Sequence, residues 1–311
     1  MFNIFKRRAP KEKPVLRQRV WINDYLAMQV VLALEEIGFF KALQRGRIKI
    51  HDLSRELHVD KHLLETCADF LWSTTEILER DGDYLDLKQD NFYNLRWIML
   101  AYKDVFDNLA ELLSGRMVYG RNVERNGVYL QKASDLFSFH SIDKVLDILG
   151  KEEDGLLVDF GCGSGRALIS YCKMGSRRYG IGLDISAEIV KEAHKHIVDA
   201  GLERRITVHV EDVMNIDSWK RIIFPHKNPV FLASTMLHEF LVRGEQFVIG
   251  FLKKIKENFP KSRLFVIEFD AVPLEKLKYE PDLNRRLYAA MYEFWHPFSN
   301  QGMPQPQEVW K

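Results

Sequence analysis

Apolar positions along the chain follow two different periods, one before and one after about residue 150. Over residues 15–45 they return at helical spacing as Trp21, Tyr25, Met28, Val31, Leu32, Leu34 and Phe39, until Gly46 interrupts them. HDLSRELHVD (51–60) reads as a short helix and a turn. DKHLLETCADFLWSTTEILER (60–80) reads as a longer helix, and DGDYLDL (81–87) as a tight turn with a short strand. Helix, turn, helix and β-wing outline a winged helix. Residues 92–114 are again helical in pattern, through Trp97, Leu100, Val105, Leu109 and Leu112.

From residue 156 apolar strand-like runs alternate with helical stretches. The runs are LLVDFG (156–161), YGIGLDIS (179–186), ITVHVEDV (206–213), PVFLASTML (229–237) and SRLFVIEFD (262–270). Helices are expected over 165–174, 187–200, 241–259 and 282–294. Such alternation predicts right-handed crossovers and a parallel sheet covered on both faces, an α/β fold. The expected division is a disordered basic arm (1–14), a winged-helix-like domain (15–114), a linker with substrate-lid helices (115–149) and the α/β domain (150–311). SGRMVYGRNVERNGVYL (114–130), at the junction, has no clean period and is either a linker or part of a lid.

Composition narrows the function classes. Lys plus Arg number 45 and Asp plus Glu 44, a net charge of +1, so charge gives no case for nucleic acid as the main partner. The start, MFNIFKRRAPKEKP, is basic but lacks the apolar core of a signal peptide. No stretch nears the ~20 apolar residues of a membrane span, so no membrane partner is expected. Cys67, Cys162 and Cys172 show no paired or metal-like spacing, which fits a reduced, cytoplasmic compartment. The 15–45 helix is apolar around much of its girth, as helices at an interface are, and predicts a homodimer built through the N-terminal part.

The most informative segment is VDFGCGSG (158–165). A strand runs into Gly161, Gly163 and Gly165 and a helix follows at once, the geometry of a nucleotide-binding turn. The spacing is G-x-G-x-G, unlike the dinucleotide G-x-G-x-x-G. Asp159 precedes the first glycine by two residues; a carboxylate there repels a pyrophosphate and suits the ammonium of a methionine moiety. Asp184 ends the second strand, 19 residues after the last glycine, where a carboxylate accepts ribose hydroxyls. Asp212, at the end of the third, is placed to meet an adenine amino group.

At these residues the chain resembles the class I S-adenosylmethionine-dependent methyltransferases over about residues 150–270. The resemblance implies a Rossmann-like sheet, S-adenosylmethionine as cofactor and a small-molecule substrate. With the preceding winged-helix outline it is similar to the O-methyltransferase branch, whose N-terminal part dimerises and roofs the active site. That branch carries a Leu-His-Asp-Trp segment after the fourth strand, with a histidine base. Here STMLHEFL (234–241) places His238 there, with Glu239 for the Asp and Phe240 for the Trp.

The tail, MYEFWHPFSNQGMPQPQEVW (291–310), departs from that branch. It is similar to a smaller group that methylates the carbon next to the keto group of 2-oxo acids, with relatives in polyketide assembly and secondary metabolism. The resemblance implies that His238 and His296 hold one divalent metal, iron first, with Gln301 as a further ligand or a supporting group. Tyr119, Arg121, Arg125 and Tyr129 are candidates for anchoring substrate, since arginine pairs well with a carboxylate. The remaining histidines are read as surface or structural.

Class I methyltransferases add a helix and a β-hairpin after the fifth strand, whereas this sequence stops at Trp310–Lys311. The expectation is either a truncated sequence or a sheet without its last strands. Two other readings stand beside C-methylation: a metal-free O-methyltransferase with His238 as base, and a noncatalytic DNA-binding regulator. The regulator is opposed by Glu65, Asp69, Glu76 and Glu79 on the helix that would have to meet phosphates.

Overall fold

The computed structural model describes residues 14–88, 96–151, 154–224, 228–303, 305–306 and 310. The expected basic arm, apart from Pro14, lies outside the described residues, as does His226. The chain divides into two compact units, Met1–Leu100 and Ala101–Lys311.

The first unit holds α1 (Pro14–Glu36), α2 (Phe39–Leu43), β1 (Ile48–Lys49), α3 (Ile50–Glu56), α4 (Lys61–Thr74), β2 (Leu78–Asp81) and β3 (Tyr84–Leu87). The single helix expected over 15–45 is two helices. Gly38 adopts φ 81°, a left-handed conformation that ends α1 and starts α2. The helix expected over 60–80 also stops early, at Thr74. Thr75 is extended, and 78–81 pairs antiparallel with 84–87 instead. The hairpin buries Leu78 and Leu85 in the core of this unit, at 3% and 1% exposure. Asp60 caps α4 by accepting from the Leu63 amide at 2.9 Å. Phe39, Phe40, Leu53, Leu71 and Leu85 form the floor of the core. The outer face of α1 stays bare, with Trp21, Ile22 and Tyr25 each at least 59% exposed.

Three short helices, α5 (Arg96–Ala101), α6 (Lys103–Asp107) and α7 (Leu109–Leu113), replace the continuous helix expected over 92–114. Tyr102 and Asn108 leave helical backbone, and the Asn108 side chain donates to the Asp104 carbonyl at 2.8 Å, a local bond that competes with helix propagation. The junction stretch ends in α8 (Gly127–Leu149), capped by Asn126, whose side chain accepts from the Tyr129 amide.

The second unit then alternates as expected. Its strands are β4 (Gly155–Phe160), β5 (Arg178–Asp184), β6 (Ile206–Val210), β7 (Val230–Ser234) and β8 (Arg263–Ile267), all parallel, in the order β6-β5-β4-β7-β8. Between them lie α9 (Arg166–Lys173), α10 (Ala187–Asp199), α11 (Ile216–Ile223), a 3-10 helix (Leu237–Arg243) and α12 (Glu245–Asn258). After β8 come α13 (Leu274–Leu277) and α14 (Leu283–Phe298). This is a Rossmann-like sheet, and the order reverses between β4 and β7, where such sheets open a crevice beyond the carboxyl ends of the strands. Two-turn α11 has no counterpart in the sequence reading, which runs the third strand through to residue 213. The third strand ends instead at Val210, so Asp212 stands in the loop beyond it. No described helix is long and apolar enough to cross a membrane.

Strand alternation feeds two cores. Leu156, Val158 and Phe160 point to a face covered by Trp219, Phe231, Phe251 and Phe259. Leu157 points to the other, among Leu168, Tyr171 and Leu232. Phe231 is fully buried, with ring centroids 5.1 Å from Phe160 and 5.2 Å from Phe259. Truncating it leaves a cavity that neighbouring rings cannot fill, so Phe231→Ala should lower unfolding free energy by about 3–5 kcal/mol in denaturant titrations.

Candidate active site

The carboxyl ends of β4, β5, β6 and β7 open into a cavity of about 680 Å³. Asp159 and Gly161 come to it from β4 and its loop, Asp184 from β5, Asp212 from beyond β6, and Ser234 from β7. α8 adds Gln131, Ser134 and Asp135. Three acids that are far apart in sequence thus meet in one pocket.

The glycine-rich turn explains how the backbone reaches it. Gly161, Gly163 and Gly165 all have positive φ. At Gly163, with φ 52°, a Cβ would also stand 2.1 Å from the Gln131 side chain. Asp184 ties the turn to β5: one of its oxygens accepts from the Gly163 amide at 3.1 Å, the other from the Ser186 amide at 3.0 Å. Asp212 accepts from the Met214 amide at 2.9 Å and is exposed on the wall. Asp159 differs from both. It is 4% exposed, and no hydrogen bond reaches its carboxyl among the described residues. Burial, and then the nearby Asp184 and Asp135, push its pKa up to about 8. Burial raises Asp184 and Asp135 as well. Without a bound cation, the pocket holds carboxyls that resist ionising together.

Further along, Tyr119, Arg125 and Glu239 line the same cavity. Arg125 Nη2 donates to both Glu239 oxygens, at 3.1 and 3.2 Å. Gln301 Nε2 donates to Glu239 Oε1 at 2.6 Å. Gln301 Oε1 accepts from Tyr102 and Ser299, so its lone pairs are engaged and it ties Glu239 to the tail. Arg121 is exposed and lies off the cavity wall.

His238 and His296, 58 residues apart in sequence, are brought together: their Nε2 atoms stand 3.2 Å apart. Both are buried, at 2% and 3% exposure, and neither is on the cavity wall. His238 lies on the 3-10 helix, His296 near the end of α14, which runs through Pro297. The His238 ring donates from Nδ1 to Glu268 at 2.6 Å, and the same carboxylate accepts from the Leu237 and His238 amides. His296 Nδ1 donates to the Tyr292 carbonyl at 2.8 Å. Burial lowers the His296 pKa to about 4 although the bond to the Tyr292 carbonyl raises it, so its imidazole is neutral at pH 7 and, with Nδ1 donating, its Nε2 carries a lone pair on the His238 side. The two nitrogens are within hydrogen-bond distance of each other. Among the described residues no group of three or more His, Cys, Asp and Glu stands together as metal ligands.

Sequence reasoning missed Glu268, Asp135 and Gln131, and left His196 as surface or structural. Glu268 stands just past β8, and the acids beyond the other strands were the available signal. Nothing in the α8 sequence marks Gln131 or Asp135. His196 Nδ1 lies 3.2 Å from the Ser164 carbonyl, behind the glycine turn.

A methyltransferase domain family matches residues 157–240, the span from β4 to the His238 segment. The chain is an S-adenosylmethionine-dependent methyltransferase with the Rossmann-like sheet of the class I fold. The methyltransferase is 22% identical over 279 residues to indolepyruvate C-methyltransferase of Streptomyces griseus, covering 88% of this chain and 80% of the relative. Its fold is similar to that of human N-acetylserotonin methyltransferase solved with S-adenosylmethionine, with TM-score 0.66, 16% identity and coverage of 97% and 91%. It is similar also to mitomycin 7-O-methyltransferase, with TM-score 0.60, 13% identity and coverage of 95% and 90%.

The orphaned Asp159 gives a stability signature. An unfolded aspartate titrates near ~3.9, whereas the folded group titrates at about 8. Between these values the folded state binds more protons, so stability falls as pH rises from about 4 to about 8. Asp159→Asn should remove that slope: thermal unfolding of the ligand-free protein between pH 5 and 8 should decline for wild type and stay flatter for the variant.

Proposed function

We propose that this methyltransferase transfers a methyl group from S-adenosylmethionine to the carbon next to the keto group of a 2-oxo acid or a related polyketide-type substrate. The observation that carries the reading is the His238–His296 pair. Each Nδ1 is fixed by an acceptor, leaving two Nε2 atoms converging at 3.2 Å in a buried site. That separation fits two neighbouring ligands of one divalent ion at the ~2.0–2.1 Å usual for imidazole, and the carboxylate and carbonyl behind the rings are typical supports of metal-bound histidine. The likeness to an indolepyruvate C-methyltransferase across most of the chain supports the same reading.

On this reading Asp159 takes the ammonium of the cofactor, Asp184 its ribose hydroxyls and Asp212 its adenine amino group, with the glycines giving close backbone approach. Arg125 faces the cavity and is placed to pair with a substrate carboxylate. A divalent ion held by His238 and His296 would supply Lewis-acid polarisation of the keto oxygen. Glu239, on the wall beside His238, is the carboxylate placed to take the proton from the reacting carbon. The carbon–hydrogen bond breaks to that base, a carbon–carbon bond forms to the methyl group, and the methyl–sulfur bond breaks to leave S-adenosylhomocysteine.

The His238–Glu268 pair gives the second reading its specific support: a carboxylate-oriented imidazole is also the arrangement of a general base for a hydroxyl, without a metal. Protein purified without a His-tag separates the two. C-methylation predicts a stoichiometric divalent metal, its loss in His238→Ala and His296→Ala, and EDTA-sensitive transfer to a 2-oxo acid with cofactor binding intact. Metal-free protein that methylates a hydroxyl in EDTA would establish His238 as the base instead.

The first unit is read as a winged-helix dimerisation domain. The bare face of α1, with Trp21, Ile22 and Tyr25, is the surface a second copy would cover. Light scattering should give a dimer mass well above micromolar concentration, and Trp21→Asp with Tyr25→Asp should shift it towards monomer. A strictly monomeric wild type would overturn the dimer.

A further inference from the structure

The first half of α8 sits against the cofactor turn through Asp135. One carboxylate oxygen, Oδ1, accepts from Ser164 Oγ at 3.0 Å and from Gln131 Nε2 at 3.0 Å. Arg166 donates to the Asp135 carbonyl at 3.3 Å. Ser164 is held from the far side by His196 of α10. The other oxygen, Oδ2, receives no hydrogen bond among the described residues, and Asp135 lines the cavity that Asp159 also lines.

We propose that Asp135 is a cofactor-positioning residue: together with Asp159 it holds the cationic amino-acid end of S-adenosylmethionine. The inference rests on the assignment of this cavity to that cofactor. Two facts separate it from a purely structural latch. Both latch bonds end on Oδ1, and an amide oxygen can accept both in the same geometry, although more weakly than a carboxylate, so the latch itself can form without the negative charge. The charge is also unfavourable without a ligand. Burial raises the Asp135 pKa, and Asp135 in turn helps raise that of Asp159, 4% exposed and without a partner of its own. A cation between the two carboxylates relieves both effects. The ammonium is the cofactor group that fits, because Asp135 is tied to the turn at Ser164 and acts on the Asp159 charge, whereas Asp184, which also acts on it, has each oxygen engaged by a backbone amide.

The test compares three ligands by calorimetry on the full chain. S-Adenosylmethionine and S-adenosylhomocysteine carry the amino-acid end, and 5′-methylthioadenosine lacks it. Asp135→Asn keeps the latch acceptor and removes the charge. It should weaken the first two about tenfold or more, the scale of one charge-assisted hydrogen bond, and leave methylthioadenosine nearly unchanged. Asp135→Glu, which restores the charge, should recover most of the loss. Equal weakening of all three ligands would make Asp135 a structural latch, and unchanged binding of all three would remove it from the site; either outcome overturns the proposal. A wild-type protein that binds methylthioadenosine as tightly as S-adenosylmethionine would also overturn it, and a Asp135→Asn variant too unstable to titrate leaves that wild-type comparison and Asp135→Glu to decide. Failure of wild type to bind any of the three would instead refute the cofactor assignment.

Discussion

Asp159 is a carboxyl almost without solvent and, among the described residues, without a hydrogen-bond partner, and the architecture around it follows from that. It lies in the middle strand of the parallel sheet, with β5 and β7 on its two sides, so its backbone is fully engaged in ladders and cannot move to water. A buried, unpaired charge is tolerated only if the group stays protonated or a cation joins it. The fold has placed this group at the switch point of the strand order, where the sheet opens, and followed it with a glycine turn that leaves room for a ligand. Stability is given up at the one position where a cation can return it.

The same cavity joins two chemistries. At one end are carboxyls, at the other the Arg125–Glu239 ion pair, whose carboxylate is tied by Gln301 to the tail. Arg125 immediately precedes the cap of α8, and Asp135 lies ten residues on, about 15 Å along a helix. One helix therefore contacts both ends. A shift of α8 would be felt by the glycine turn and the ion pair together. The irregular stretch before it, 114–126, is anchored mainly by local bonds, such as Val118 to Asn122 and the bridge between Tyr119 and Val123.

The α/β alternation and the acids at strand ends were legible because each is a short-range signal: a period of apolar residues, a glycine spacing, a carboxylate in register with a strand end. The breaks were less so. Gly38 divides the first helix although Gly46 looked the stronger interruption, because helix ends depend on which glycine can turn left-handed against the packing of its neighbours. Thr75 ends α4 because 78–81 finds a partner strand, a long-range fact invisible in a window of sequence. His238 and His296 were paired in sequence by resemblance. Their approach to 3.2 Å has α14 extending past the expected end at 294 to carry His296, just before Pro297. Pro297 has no N–H to give the Glu293 carbonyl, and the helix ends one residue later at Phe298. Glu268 and Asp135 were missed for opposite reasons: the first had a signal that was not followed, the second has none.

Fold alone does not choose between carbon and oxygen as the methyl acceptor, since structures at 13–16% identity share the architecture, one of them a mitomycin 7-O-methyltransferase. What distinguishes the two reactions is acidity. A phenolic or similar hydroxyl loses its proton to an oriented imidazole near neutral pH, and a wet, open site suffices. A carbon next to a ketone is far less acidic, so the developing charge on oxygen needs a strong electrostatic partner in a place from which water is excluded. The histidine pair is 2% and 3% exposed and stands off the cavity wall, beside Glu239, which is on it. A site open to water would serve the hydroxyl; this burial suits the carbon. On the proposed reaction the Arg125–Glu239–Gln301 chain would belong to the route, because a 2-oxo acid whose carboxylate engaged Arg125 would compete directly with Glu239, and loosening that carboxylate would free both a base and the link to the segment that carries His296.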